Sequence, residues 1–236
     1  DTGMTPHPSL LAHHGFFVTG TDTGVGKTMV ACALLYAFAR QGKSVVGMKP
    51  VTAGCEETPE GLRNNDVELL IAASTIKAPR HMVNPYALIP PIAPHIAAQQ
   101  AGIEIKLAVI KTAFEQLKKT AEVVVVEGVG GFKVPLNSRQ DSADLAELLG
   151  LPAILVVGMR LGCLNHALLT SGAIEERGLK MAGWVANCID PHMAALQDNL
   201  RALEERLGHP PLAVFAFQPD PRPKELAREL DIQSLM

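Results

Sequence analysis

The run Gly20-Thr21-Asp22-Thr23-Gly24-Val25-Gly26-Lys27-Thr28 carries the residue types that bind phosphate. Glycines at 24 and 26 let backbone N–H groups turn toward an anion, and a helix opening near Lys27 offers the positive end of its dipole. Lys27 can then reach the β- and γ-phosphates of a nucleotide, and Thr28 can ligate Mg²⁺. The strict GxxxxGK(S/T) spacing puts its first glycine at position 21, where this chain has Thr21, with Gly20 one residue early. The loop is therefore a variant. An apolar strand before it and a helical pattern after it set it apart from an ordinary glycine-rich turn.

A phosphate loop needs carboxylate oxygens to complete a Mg²⁺ shell. Glu127 follows Val123-Val124-Val125-Val126, so it stands at the carboxyl end of a buried strand, where open α/β sheets bind their ligands. Gly128, Gly130 and Gly131 behind it suggest a second close approach of backbone to ligand. Asp66, after Asn64 and Asn65, has two readings, metal ligand or cap of the following helix. Lys49 ends another strand as Met48-Lys49-Pro50. It is either a solvated strand end or the counter-charge for an anionic second substrate attacking the γ-phosphate, a charge that plain hydrolysis does not require. Asn187 closes Ala182-Gly183-Trp184-Val185-Ala186-Asn187 with an amide that either pairs with a base edge or makes a turn. Gly162-Cys163-Leu164-Asn165-His166 also joins a strand to a helix and can take a carboxylate on backbone amides, with His166 read as packing or capping.

These residues fall at the ends of short apolar runs that alternate with segments of helical period, the pattern of a parallel sheet covered by helices. Strands are expected at 15–19, 44–49, 123–127, 153–158, 181–189 and 212–217, and helices at 27–40, 67–74, 106–119, 142–149, 165–176 and 193–207. Gly42, Gly150, Gly178 and Gly208 are placed as helix stops. Asn84 to His95 holds Pro85, Pro90, Pro91 and Pro94, too many for a helix or central strand, and reads as a loop, either a cleft cover or a stiff connector. The expected fold class is α/β, a single-domain P-loop fold with a mostly parallel central sheet flanked by helices, over residues 15–236.

Composition narrows the ligand. A net charge of −3 with no basic run argues against nucleic acid or an anionic membrane as partner, which leaves small molecules. No apolar stretch approaches the roughly 18 residues that cross a bilayer, so a cytoplasmic protein is expected. Cys32, Cys55, Cys163 and Cys188 show no metal or disulfide spacing and read as buried free thiols. Residues 1–14 are polar with Met4 as a plausible native start, and are expected to be disordered or expression-derived.

Taken in order, Gly20–Thr28, Lys49-Pro-Val51, Gly61-Leu-Arg-Asn64 with Asp66, Asn84-Pro-Tyr86, Pro94-His95, Val126-Glu-Gly-Val-Gly-Gly131, Leu161-Gly-Cys-Leu-Asn-His166 and Ala182-Gly-Trp-Val-Ala-Asn187 resemble the dethiobiotin synthetases, over about Gly15 to Phe217. The resemblance implies ATP-dependent, ring-closing carboxylation of 7,8-diaminononanoate with CO₂, through a carbamate and a carbamic-phosphoric anhydride. The products would be dethiobiotin, ADP and phosphate, in biotin biosynthesis. It implies Mg²⁺ held by Thr28, Asp66 and Glu127, and phosphates bound by Thr23, Gly24, Val25, Gly26, Lys27 and Thr28. Gly128, Val129 and Gly130 would line the nucleotide site, and adenine would lie by Asn187 with Phe215, Ala216, Phe217 and Gln218. Lys49 and Lys27 would be the catalytic cations. The diamine would contact Lys49 and Ala53, where the family commonly has a small hydroxyl residue and this chain has Thr52 adjacent. Its carboxylate would be taken by Gly162, Cys163, Leu164 and Asn165 of the neighbouring subunit of a homodimer. The alternative is a partner-regulated P-loop ATPase switch of the cell-division or plasmid-partition type; those proteins carry a signature lysine where this chain has Asp22.

Overall fold

The apolar runs become strands because alternate residues on each find a separate core. Phe16, Val123 and Val125 pack on one side of the sheet, while Phe17, Val124 and Val126 pack on the other. Burying each such side chain is worth about 1.5–3 kcal/mol. The computed structural model describes residues 15–236, and the expectation for residues 1–14 lies outside the described residues. In chain order the elements are β1 (Gly15–Gly20), α1 (Lys27–Arg40), β2 (Val45–Met48), β3 (Val51–Thr52), β4 (Glu56–Thr58), β5 (Gly61–Arg63), α2 (Asn65–Ala73), α3 (Arg80–Val83), β6 (Tyr86–Ala87) and α4 (Pro94–Gln100). There follow α5 (Leu107–Lys118), β7 (Val123–Glu127), α6 (Ser142–Leu149), β8 (Ala153–Met159), α7 (Cys163–Glu176), β9 (Met181–Cys188), α8 (Leu196–Leu207), β10 (Ala213–Phe215) and α9 (Pro223–Leu226).

Six strands form one sheet in the order β10-β9-β8-β1-β7-β2. Every pairing in it is parallel, so all six carboxyl ends open on one edge. The side carrying α1 buries Leu34, Leu35 and Phe38, with Phe38 stacked on Phe16 at 5.7 Å between ring centroids. The opposite side buries Ile110 and Phe114 of α5 and Leu145 of α6. Trp184 anchors a third cluster between β8, β9, α7 and α8. Gly150 and Gly208 end α6 and α8 in the left-handed conformation that glycine adopts without strain.

The expected strands and helices are present with ends shifted by a few residues, and α1, β7 and α6 match to the residue. Asn84 to His95 is not all loop. Tyr86–Ala87 pairs with Val51–Thr52 as a two-stranded parallel unit, and Pro94 opens α4 at its first position, where the missing proline N–H has no helical partner to lose. The β4–β5 hairpin and the short α3 and α9 lack an apolar period long enough to be read from sequence.

Candidate active site

β1 runs directly into the phosphate loop, and only glycine suits the loop's closest approach. Gly26 has φ 94°, and a Cβ there would lie 2.2 Å from Asn187 Nδ2. That amide donates to the backbone oxygen of Val25 at 2.8 Å, so β9 braces the loop. The side-chain amide of Asn187 is thus committed through Nδ2 to the loop. The register sets Asn187 opposite Phe215 of β10, and Ala216, Phe217 and Gln218 follow directly after that strand at its carboxyl end.

Lys27 is 7% exposed, with its ammonium donating to the backbone oxygen of Asp22 at 3.0 Å. Burial pushes its pKa down to about 8, an effect that Glu127 opposes and Lys49 adds to. Asp22 accepts from the N–H of Thr23 at 2.7 Å and pairs with Arg160 at 2.7 Å. Those two contacts hold its carboxyl below the usual range.

Glu127 is 1% exposed at the end of β7. Its Oε1 accepts from the Thr28 hydroxyl at 2.8 Å and from the Lys49 ammonium at 2.8 Å, while its buried Oε2 has no hydrogen-bond partner among the described residues. Lys49 also pairs with Asp66 Oδ2. The solvated-end reading of Lys49 fails, since the residue is 6% exposed. Burial works against its charge, but Glu127 and Asp66 outweigh burial and raise its pKa above the ordinary lysine value. The cap reading of Asp66 fails as well. Asn64 caps α2 by accepting from the N–H of Asp66 at 3.0 Å, which leaves the Asp66 carboxylate free to face Lys49.

Two carboxylates and a hydroxyl thus converge beside two lysines, and one buried carboxylate oxygen has an unused lone pair. No group of three or more His, Cys, Asp or Glu side chains that could hold a metal occurs among the described residues. An ion here would complete its shell from hydroxyl, phosphate and water, which is how Mg²⁺ binds. The donor set fits.

The loop after β7 closes the other side. Gly128 donates to the backbone oxygen of Val18 at 2.9 Å, and a Cβ on Gly130 would lie 3.5 Å from Thr23 Oγ1, so the Gly128-Val129-Gly130 turn borders the phosphate loop. Ala53 lies near the same edge, its carbonyl accepting from Asn64 at 3.4 Å. Thr52 does not replace the missing hydroxyl: it is 1% exposed and turned inward onto Asn84 Oδ1 at 3.2 Å. Cys163, Leu164 and Asn165 form the first turn of α7 behind Gly162, and the backbone oxygen of Gly162 already accepts from His166. His166 is exposed in the single chain. All four cysteines are buried and free. Sequence reasoning missed Arg160 and Asn84 as partners of site residues. Asn84 carried a signal in standing before a proline; Arg160 carried none.

A family model described as "AAA domain" matches residues 14–224. The chain is 59% identical over 218 residues to the ATP-dependent dethiobiotin synthetase BioD of Nitrosospira multiformis, covering 92% of this chain and 95% of that one. It is 54% identical over 215 residues to the enzyme of the same name from Aromatoleum aromaticum, covering 91% and 96%. Among solved structures it resembles the cell division ATPase MinD of Pyrococcus furiosus, with TM-score 0.55, 16% identity and coverage of 94% and 100%. It also resembles a ParA family ATPase of Chlorobium tepidum, with TM-score 0.54, 14% identity and coverage of 88% and 86%. These distant likenesses speak for the fold alone, whereas more than half of the aligned residues are shared with the synthetases. The chain belongs to the ATP-dependent dethiobiotin synthetase family.

Proposed function

We propose that the protein closes the ureido ring of dethiobiotin from 7,8-diaminononanoate, CO₂ and ATP, with Lys49 and Lys27 as the two cations of the reaction. The observation that carries this reading is Lys49, a buried ammonium paired with Glu127 and Asp66 on a strand other than that of the phosphate loop. A carbamate brings a second anion up to the γ-phosphate, and a buried ammonium on a separate strand is placed to offset that charge.

One neutral amine of the diamine adds to CO₂ and loses a proton, giving a carbamate whose charge Lys49 faces. A carbamate oxygen attacks the γ-phosphorus, the bond to ADP breaks, and Lys27 and Lys49 offset the charge spread over the transferring group. The second amine then attacks the anhydride carbonyl, phosphate leaves with loss of a proton, and holding both amines on one molecule favours closure. Thr28, Asp66 and Glu127 would hold Mg²⁺, which when bound neutralises phosphate charge. Thr23 and the backbone amides from Gly24 to Thr28 take the phosphates, and Asn187 with Ala216, Phe217 and Gln218 takes adenine. The protein acts in the cytoplasm as a homodimer, with Gly162 to Asn165 of a second copy binding the substrate carboxylate. Leu161, 95% exposed beside that segment, supports a partner surface there.

Phosphate release measured with the diamine and bicarbonate each omitted in turn tests the proposal. Release is expected only when both are present. Equal turnover with ATP alone would point to the ATPase-switch class instead.

A further inference from the structure

We infer that Asn84 is a positioning residue that aims Lys49, an inference that rests on the proposed role of Lys49. β2 is the edge strand of the sheet, and its pairing with β7 ends at Met48 opposite Val126. Among the described residues, Lys49 therefore leaves the sheet with no ladder on either side to hold its backbone. The Val83–Leu88 segment holds it instead. The N–H of Lys49 donates to the Val83 carbonyl at 2.8 Å, and its own carbonyl accepts from Asn84 Nδ2 at 2.7 Å.

The Asn84 amide makes three bonds in this task. Its Nδ2 also donates to the Tyr86 carbonyl at 3.2 Å, and its Oδ1 accepts from the Thr52 hydroxyl at 3.2 Å. Pro50 and Pro85, which flank the junction, have no N–H to give, so the donor that the Lys49 carbonyl needs comes from a side chain. The Tyr86 N–H completes the clamp by donating to the Pro50 carbonyl at 3.0 Å. The Asn84-Pro85-Tyr86 segment thus fastens both sides of Lys49 to one rigid turn. The ammonium at the end of this side chain is buried between two carboxylates, where solvent cannot absorb a misplaced charge. A shift of about 1 Å at such a group costs on the order of a hundredfold in rate.

The test compares Asn84→Ala and Asn84→Asp in the wild-type and Lys49→Met backgrounds. Asn84→Asp keeps the volume and the acceptor for Thr52 but cannot donate, which guards against a folding failure of the alanine variant. In the wild-type background each is expected to lower turnover at saturating substrates by about tenfold or more, with ATP affinity changed less than about twofold. In the Lys49→Met background the same substitutions are expected to change the residual rate by less than about twofold, because the group they aim is gone. Full turnover in both Asn84 variants, or an equal loss in the two backgrounds, overturns the inference. Full turnover in Lys49→Met alone overturns the proposed role of Lys49 and the inference with it.

Discussion

Lys27 and Lys49 begin with the same chemistry and end with opposite acid–base behaviour. Both are buried, but the nearest acceptor of Lys27 is a backbone carbonyl and those of Lys49 are two carboxylates. Burial therefore prevails at Lys27, whose pKa falls to about 8, and charge pairing prevails at Lys49, whose pKa rises. A lysine whose folded pKa lies below its ordinary value binds fewer protons folded than unfolded. The stability cost of Lys27 is thus full below pH about 8, and stability rises with pH from there toward the ordinary lysine value near 10.5. Nucleotide binding has the opposite sign, because phosphates favour the ammonium. At pH 9 the binding of ATP should take up roughly one proton and at pH 7 almost none, with affinity weakening as pH rises through about 8. Calorimetry in buffers of different ionisation enthalpy reads the proton count directly; equal uptake at both pH values would mean that Lys27 is not the group responsible.

At the scale of elements, the phosphate loop is not self-supporting. It is braced from β9 by Asn187 and tied through Asp22 to Arg160 at the end of β8. Gly26→Ala should therefore do more than strain a left-handed backbone, since its Cβ must displace the Asn187 amide that holds Val25. A cost of about 1–3 kcal/mol follows from the conformation alone, so ATP affinity should fall between about fivefold and a hundredfold. A nucleotide displacement titration checks this. Unchanged affinity would show that the loop adapts and that the brace is dispensable. The motif itself was legible from residues 20 to 28, because strand, glycines and helix start are local. The brace was not legible, because Asn187 and Val25 are 162 residues apart in sequence.

On the scale of the whole molecule, six parallel strands deliver the phosphate loop, Lys49, Glu127, Arg160, Asn187 and Phe217 to one edge of the sheet. The proposed second subunit would meet that edge at the start of α7, where Leu161 is 95% exposed, with Leu169, further along the helix, 65% exposed. Light scattering is expected to give the mass of two chains, and Leu161→Asp to yield monomers with reduced ring closure. A Leu161→Asp variant that stays dimeric and fully active would place the interface elsewhere. The sequence by itself determined the fold class, the strand and helix pattern and the nucleotide loop, since these rest on period, glycine placement and contacts between near neighbours. It left Asp66 divided between cap and ligand, Lys49 between solvent and site, and Thr52 as a possible stand-in beside Ala53. Only the tertiary structure removed the cap, solvated-end and stand-in readings, because each depends on a partner that folding brings from elsewhere. Lys49 finds Glu127 across 78 residues, Thr28 finds the same carboxylate across 99, and Thr52 turns to Asn84 across 32. No local pattern encodes such meetings. They follow from strand order, which packs β7 between β1 and β2 and so gathers three distant chain segments around a single buried carboxylate.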